Sequence, residues 1–213
     1  MDSNQSFNMK YYSQFGQDRF LHENYYMNTP RGRFIDIGAH DGITGSNTFF
    51  FEALGWRGIC IEPIKELFDQ LTLNRTCVLR NLALSDKVGE AYFKRIKGHS
   101  EMLSGLVDQY SPEHLSRIQK EFAEHVQEEE LIKVRTSTFN TEIPAGHYDI
   151  LSIDVEGAEG TILKSIDWNK YQIDHLVVEF NDGSDDGLQG YLERLGYTTV
   201  VRKGVDLIFK RNV

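Results

Sequence analysis

The sequence predicts an α/β fold: a mostly parallel sheet with helices on both faces, a C-terminal antiparallel hairpin, and a small insertion between the third and fourth core strands. Three observations carry this expectation. Short apolar runs of strand type alternate with segments whose apolar residues recur at helical spacing. A glycine-bearing turn joins the first run to a helix start. Carboxylates recur at the C-terminal ends of the runs, where a parallel sheet binds its ligands.

The elements follow in order. Residues 1–10 are polar and read as a loose start. Phe20, Leu21, Asn24 and Tyr25 then share one face, which predicts a short helix broken by Thr29-Pro30-Arg31-Gly32. Phe34, Ile35 and Ile37 form the first strand, interrupted by Asp36, and Gly38 and Gly42 bracket the loop before the helical SNTFFFEALG. Gly58-Ile59-Cys60-Ile61 is the second strand and ends in Glu62; a crossover helix follows, with Ile64, Leu67, Phe68 and Leu71 on one face. The run CVLRNLAL is expected as the third strand. Three such units in sequence imply right-handed crossovers in a parallel sheet.

The pattern departs from this alternation over residues 88–138. GEAYFKRI and LIKVRTSTF alternate as strands, and PEHLSRIQKEFAEHVQEEE between them reads as a helix with Leu115, Ile118, Phe122 and Val126 inward. Glu128 to Glu130 is expected as its solvated end. We read the block as an antiparallel excursion carrying a lid over the acceptor. His147 to Asp154 is the fourth core strand and His175 to Phe180 the fifth, each followed by a helical segment. Two strands about Lys203-Gly204 close the sheet.

Composition narrows the function. At 213 residues, with 40% hydrophobic and 26% charged residues, the chain suits a single globular domain over 1–213. A net charge of −9 argues against nucleic acid as the main partner. Neither a membrane-length apolar run nor a signal-peptide core is present, so a cytoplasmic protein with no membrane insertion is expected. Cys60 and Cys77 lie in apolar runs without metal-ligand spacing and read as reduced thiols.

The chemistry is written around Arg33 to Thr48. A strand, a glycine turn and a helix start form a nucleotide-cofactor cradle. A pyrophosphate would meet like charge at Asp36 and Asp41, whereas the ammonium and sulfonium of S-adenosylmethionine suit acids. Glu62, about 20 residues past the loop, can accept hydrogen bonds from ribose hydroxyls, as it would in an NAD site. Asp36, Glu62, Asp154 and Glu179 all end strands, with Asp41, Glu156, Glu159 and Asp182 just beyond. Such a concentration of acid calls for an offsetting cation, and one of these carboxylates, His40 or His99 could serve as base. Glu156 and Glu159 also suit a plain helix N-terminus.

Taken together, YSQFGQD, FIDIGAHDGITGSNT, GWRGICIEP, NLALSD, LSIDVEGAEGTIL and VVEFN resemble the FkbM family of S-adenosylmethionine-dependent methyltransferases, from Tyr12 to about Lys210. The resemblance implies the Rossmann-like class I methyltransferase fold, with seven strands, the last antiparallel. It also implies O-methylation, often of a sugar hydroxyl, with deoxysugars such as rhamnose favoured. Asp36, Gly38, Asp41 and Gly42 would hold the methionine end, Glu62 the ribose, and Ala83 to Asp86, Ser85 included, the adenine edge. Gln14, Ala39, Ser46, Asn47 and Pro63 complete the implied cofactor contacts. Asp154, Glu156 and Glu179 would face the acceptor as catalytic groups. Some sugar methyltransferases of this fold bind a divalent metal, and Asp154, Glu179 and Asp182 could supply ligands for magnesium or manganese, although Asn181 interrupts the paired acids. Members are often fused to glycosyltransferases, so the chain would also suit a domain of a larger polypeptide. An NAD-dependent oxidoreductase and a cofactor-binding module without catalysis are the rival expectations.

Overall fold

The strand-forming runs assemble around β1 (Arg33–Ile37), whose last four residues are buried. A computed structural model describes residues 9–98, 103–110, 112–125, 127–180 and 187–212. On one side β1 pairs in parallel with β2 (Arg57–Ile61), which pairs with β3 (Val78–Arg80). On its other side lies β8 (Gly146–Ile153), followed by β9 (Tyr171–Glu179), again parallel. The hairpin β10 (Tyr197–Lys203) and β11 (Asp206–Arg211) completes the sheet, with β11 antiparallel to both neighbours. Among the described residues the order is β10-β11-β9-β8-β1-β2-β3. The chain runs outward in opposite directions from β1 and β8, so the crevice above their carboxyl ends is the place for a ligand.

Side-chain alternation gives each face its own core. Ile35 and Ile37 point to one side, with Leu151, Ile153, Leu163 and Leu176. Phe34 points to the other, with Phe51, Trp56, Leu71 and Ile150. Helices α2 (Phe49–Ala53), α3 (Lys65–Asn74), α6 (Glu159–Ser165) and α7 (Leu188–Arg194) supply the covering layers. Each fully buried Leu, Ile or Phe contributes about 1.5–3 kcal/mol, so this alternation sets the register.

The insertion is a second sheet. β4 (Ala83–Leu84), β5 (Gly89–Gly98), β6 (Gly105–Leu106) and β7 (Gln127–Ser137) pair in the order β4-β7-β5-β6, with α4 (Pro112–Glu124) between β6 and β7. Two expectations change here. The run expected as one third strand splits, because the side chain of Asn81 turns back to donate to the carbonyls of Glu62 and Pro63 at 2.8 and 3.1 Å. Ala83 and Leu84 then pair with β7 instead. Glu128 to Glu130 belongs to β7 and not to a helix end: Glu129 pairs with Lys94 at 2.9 Å and Glu130 with Lys97 at 2.8 Å across the β5–β7 ladder. Of the inward helix face, Ile118 is buried and Leu115 is 42% exposed, while Val126 lies outside the described residues.

The N-terminal helix also differs. α1 (Gln17–Leu21) runs into a wider π-helical turn, His22–Tyr26, which shifts the phase and buries Leu21, His22 and Tyr26 in place of Phe20 and Asn24. The fifth core strand starts earlier than its apolar run, because Gln172 and Asp174 alternate outward ahead of it. Cys60 and Cys77 are free thiols. No helix among the described residues is long and apolar enough to cross a membrane.

Candidate active site

The carboxyl ends of β1 and β2 build the floor of a first cleft. After Ile37 the chain turns at Gly38, whose amide and that of Ala39 donate to the carbonyl of Ile61 at 3.0 Å. Gly38 has φ +83°, and a Cβ there would lie 1.7 Å from the carbonyl oxygen of Asp154, so only glycine lets these two strand ends close together. Glu62 ends β2 buried, its carboxylate accepting from the amides of His40 at 3.0 Å and Ile64 at 2.8 Å. Pro63, Leu67, Leu82 and Ala83 line the cleft beyond it, and Phe93 of β5 and Ser104 come over from the inserted sheet. The walls bound about 630 Å³ of space, the open mouth included. The cleft is mainly apolar, with the acids Glu62, Asp154 and Glu156 in its lining.

A second pocket, about 920 Å³ with its mouth, lies on the other side of the β8 end. Its chemistry is acidic: Asp154, Glu156, Glu179 and Asp206 line it with Glu121 of α4. Asp154, Glu156 and Glu179 each bring an oxygen within 4.8 Å of the others'. Arg117, also on α4, reaches in with Nη1 3.7 Å from Glu156 Oε2. Asp154 and Glu156 line both pockets, so they form the wall the two spaces share. Of the non-glycine residues with positive φ among those described, His40 (52°) and Glu156 (56°) both line the first cleft. Such backbone costs about 1–3 kcal/mol and persists where packing fixes it, commonly at functional sites.

Burial sets the electrostatics. Asp154, crowded by protein atoms although it borders both pockets, is pushed up to about 7 by burial and then by the charges of Asp206, Glu159 and Asp36. Burial and the charge of Asp154 push Glu156 well above the carboxylate range, against the pull of Arg117. Glu159 is raised by burial too, but it has a structural task. Its carboxylate accepts from the amides of Val155 at 3.0 Å and Gly157 at 3.0 Å, which fixes the turn that aims Glu156. Glu159 is therefore the helix-start acid expected of this turn, and Glu156 is not.

The other loop acids face elsewhere. Asp36 points to the opposite side of β1 and does not line the cleft; Thr48 Oγ1 donates to it at 2.5 Å, and Arg75 Nη1 lies 3.7 Å away. Arg75 also donates to Glu52 at 2.5 Å, the Gly42 carbonyl at 3.0 Å and Thr48 Oγ1 at 2.9 Å, a buried hub that nothing in the local sequence announced. Burial raises Asp36 above the usual carboxylate range, with Arg75 and Thr48 pulling the other way. Asp41 accepts from the amides of Ile43 and Thr44 within its own loop, both at 2.8 Å. Ser46 receives the amides of Thr48 and Phe49 at the start of α2, and Gly42 packs on Leu71 and Arg75. Ala39 joins the core beside β1, and Ser85 bonds to Asp86 outside the cleft.

Gln14 and Asn47, expected at the cofactor, line the second pocket. The YSQFGQD block explains the first. Asp18 accepts from Ser13 Oγ at 2.5 Å and Gln17 donates to Asp206 at 2.5 Å, which clasps Gln14 and Phe15 against the β10–β11 hairpin. Asn47 donates to Ser152 Oγ at 3.0 Å. Asp182 and His99 lie outside the described residues.

Residues 36–199 match the family model described as the methyltransferase FkbM domain. A solved structure with a looser likeness is that of a TehB-like SAM-dependent methyltransferase from Corynebacterium glutamicum, with 11% sequence identity and a TM-score of 0.43 over 94% of this chain and 89% of that one. No curated protein matches the chain.

Proposed function

The chain belongs to the FkbM methyltransferase family, and on that premise we propose that it moves a methyl group from S-adenosylmethionine to a hydroxyl of a sugar, a deoxysugar such as rhamnose in a glycan or glycoconjugate being favoured. One observation carries the proposal: Asp154 and Glu156 form the common wall of an apolar cleft and an acid-lined pocket. A donor in the first and an acceptor in the second would meet at that wall, which is the positioning that in-line transfer needs.

The residues divide the work. Glu62 holds the ribose hydroxyls, and Ala83 and Leu82 the adenine. The positive charge at the transferring centre faces Asp154 and Glu156, which favour it. On the acceptor side Asp154 takes the hydroxyl proton as the oxygen attacks, and Glu179 and Asp206 accept hydrogen bonds from neighbouring hydroxyls. A pocket rich in acceptor oxygens suits a neutral, hydroxyl-bearing substrate. The inserted sheet gives Phe93 and Ser104 to the cleft and Arg117 and Glu121 to the pocket, the arrangement of a lid over both. The net charge of −9 suits a glycan or small-molecule acceptor in the cytoplasm over nucleic acid.

Calorimetry with S-adenosylhomocysteine and with NAD tests the donor, and turnover on a sugar panel tests the acceptor. S-adenosylhomocysteine should bind and NAD should not; the reverse would sink the proposal. Binding without turnover on any hydroxyl acceptor would leave only a cofactor-binding module.

A further inference from the structure

Cys60 and Cys77 line neither pocket, and their sulfurs lie 3.4 Å apart. The backbone explains the approach. Cys60 stands inside the sheet, level with Asp36 of β1 and Leu79 of β3. Cys77 precedes Leu79 by two positions, so alternation turns it to the same face, and all three side chains join one apolar cluster. Cys77 is also anchored from outside the sheet. Its amide donates to Glu52 Oε1 at 3.1 Å, and the amide of Thr76 donates to the same oxygen at 2.6 Å. Glu52 is bound in turn to Arg75. The thiols are thus held against each other by the parallel ladder on one side and the Arg75 hub on the other. Their exposure differs: Cys60 is fully buried, whereas Cys77 is partly open to solvent.

We infer that Cys60 and Cys77 are a redox pair that closes into a reversible disulfide, stapling β2 to the start of β3. β3 is the edge of its sheet, so a small shift of Cys77 brings the sulfurs to bonding distance without disturbing β1. The oxidant is a peroxide. Cys77 gives two electrons to it and becomes a sulfenic acid, with one water released. The Cys60 sulfur then attacks the Cys77 sulfur; the S–O bond breaks, the hydroxyl leaves with the Cys60 proton as a second water, and the S–S bond forms. Burial pushes the Cys60 thiol up, which suits it to resolve the sulfenic acid and not to meet the oxidant. A dithiol reductant reverses the bond, so a reducing compartment keeps the pair open until oxidant rises. The loop it closes, residues 61–76, carries Glu62, Pro63, Ile64 and Leu67 of the first cleft. Oxidation therefore restrains one wall of that cleft, whatever ligand the cleft takes.

The test is hydrogen peroxide treatment of the whole reduced chain under native conditions, followed by alkylation, proteolysis and mass spectrometry. One pair of peptides joined through Cys60 and Cys77 of the same chain is expected, and dithiothreitol should restore two alkylated thiols. Hydrogen exchange of residues 61–76 should slow several-fold in the oxidised chain, as expected when a loop is closed. Cys60→Ala should leave Cys77 as a sulfenic acid that dimedone traps, and Cys77→Ala should leave Cys60 unmodified. The wild-type peptide map decides the matter even where a variant fails to fold. Both thiols still free after peroxide, Cys77 carried on to sulfinic acid with Cys60 reduced, or a bond between two chains would each overturn the pair. Linked cysteines without slower exchange would overturn the staple.

Discussion

Two groups of buried acids gather near the carboxyl end of β1, and they are treated in opposite ways. Asp36 and Glu52 surround Arg75, whose side chain is fully buried and whose nitrogens are used on two carboxylates, a carbonyl and two hydroxyls. Asp154, Glu156 and Glu179 surround a space, with an arginine only at its edge. The first group is a closed structural unit that locks the glycine loop onto α2 and α3. The second lines a pocket, and burial raises Asp154 and Glu156 above the ordinary carboxylate range. Acid content alone marks neither; what lies between the acids decides.

The largest effect should come from breaking the closed group. Arg75→Met leaves two buried carboxylates without their partner, so unfolding stability should fall by about 3–5 kcal/mol, read from urea denaturation. The same removal at Arg117, half-exposed at the rim, should cost less than about 1 kcal/mol. Equal losses would erase the distinction between the two groups.

Next comes the open group. Asp154→Asn keeps the shape and removes the charge, and turnover on an accepted substrate should fall by ~10²-fold or more, with S-adenosylhomocysteine affinity nearly unchanged. Glu62→Ala sharpens the contrast from the cofactor side. It should weaken S-adenosylhomocysteine binding by about 1.5–3 kcal/mol in calorimetry, while the chain stays folded.

The smallest effect is on pH dependence, and its sign differs between Asp154 and Glu52. Asp154 is raised to about 7 by burial and the neighbouring acids. Its folded form thus holds the proton more tightly than the unfolded chain does. That contribution is complete below the ordinary carboxylate pKa of ~3.9 and is lost as pH rises through about 7. Glu52 behaves oppositely. Burial alone would raise it, but the hydrogen bond and charge of Arg75 outweigh this and leave it lowered, so its contribution is present above the unfolded pKa and lost as pH falls. Urea midpoints of the ligand-free protein between pH 5 and 8 should therefore decline less in Asp154→Asn than in wild type. Glu52→Gln should flatten the acid limb below pH 5. An unchanged slope in both variants would contradict both assignments.

The fold was legible because it rests on periodicity. Phe34, Ile35 and Ile37 declare a buried strand, and Gly38 declares a turn whose need for glycine the Asp154 carbonyl explains. Glu62 and Asp154 were placed by a general rule about strand ends. What escaped was long-range. Arg75 follows a helix like any surface arginine, and only the packing of α3 on the loop brings it to Asp36. Asp36 and Ile37 are neighbours in sequence, yet strand alternation sends them to opposite faces, so one acid of the motif leaves the site. Asn47 and Gln14 lie in segments rightly tied to the site but reach the second pocket, because Asn47 bonds to Ser152 of β8 and the YSQFGQD clasp is held to Asp206 of β11. The positive φ of His40 and Glu156 has no signal in residue type at all.

The central claim is that donor and acceptor compartments meet at Asp154 and Glu156. Its most direct test is a crystal structure of the wild-type chain with S-adenosylhomocysteine. Ribose hydroxyls are expected on Glu62, adenine between Ala83 and Phe93, and the sulfur directed at the Asp154–Glu156 wall, with the acid pocket still open behind it. A ligand seated in the acid pocket, or one whose ribose lies away from Glu62, would contradict it.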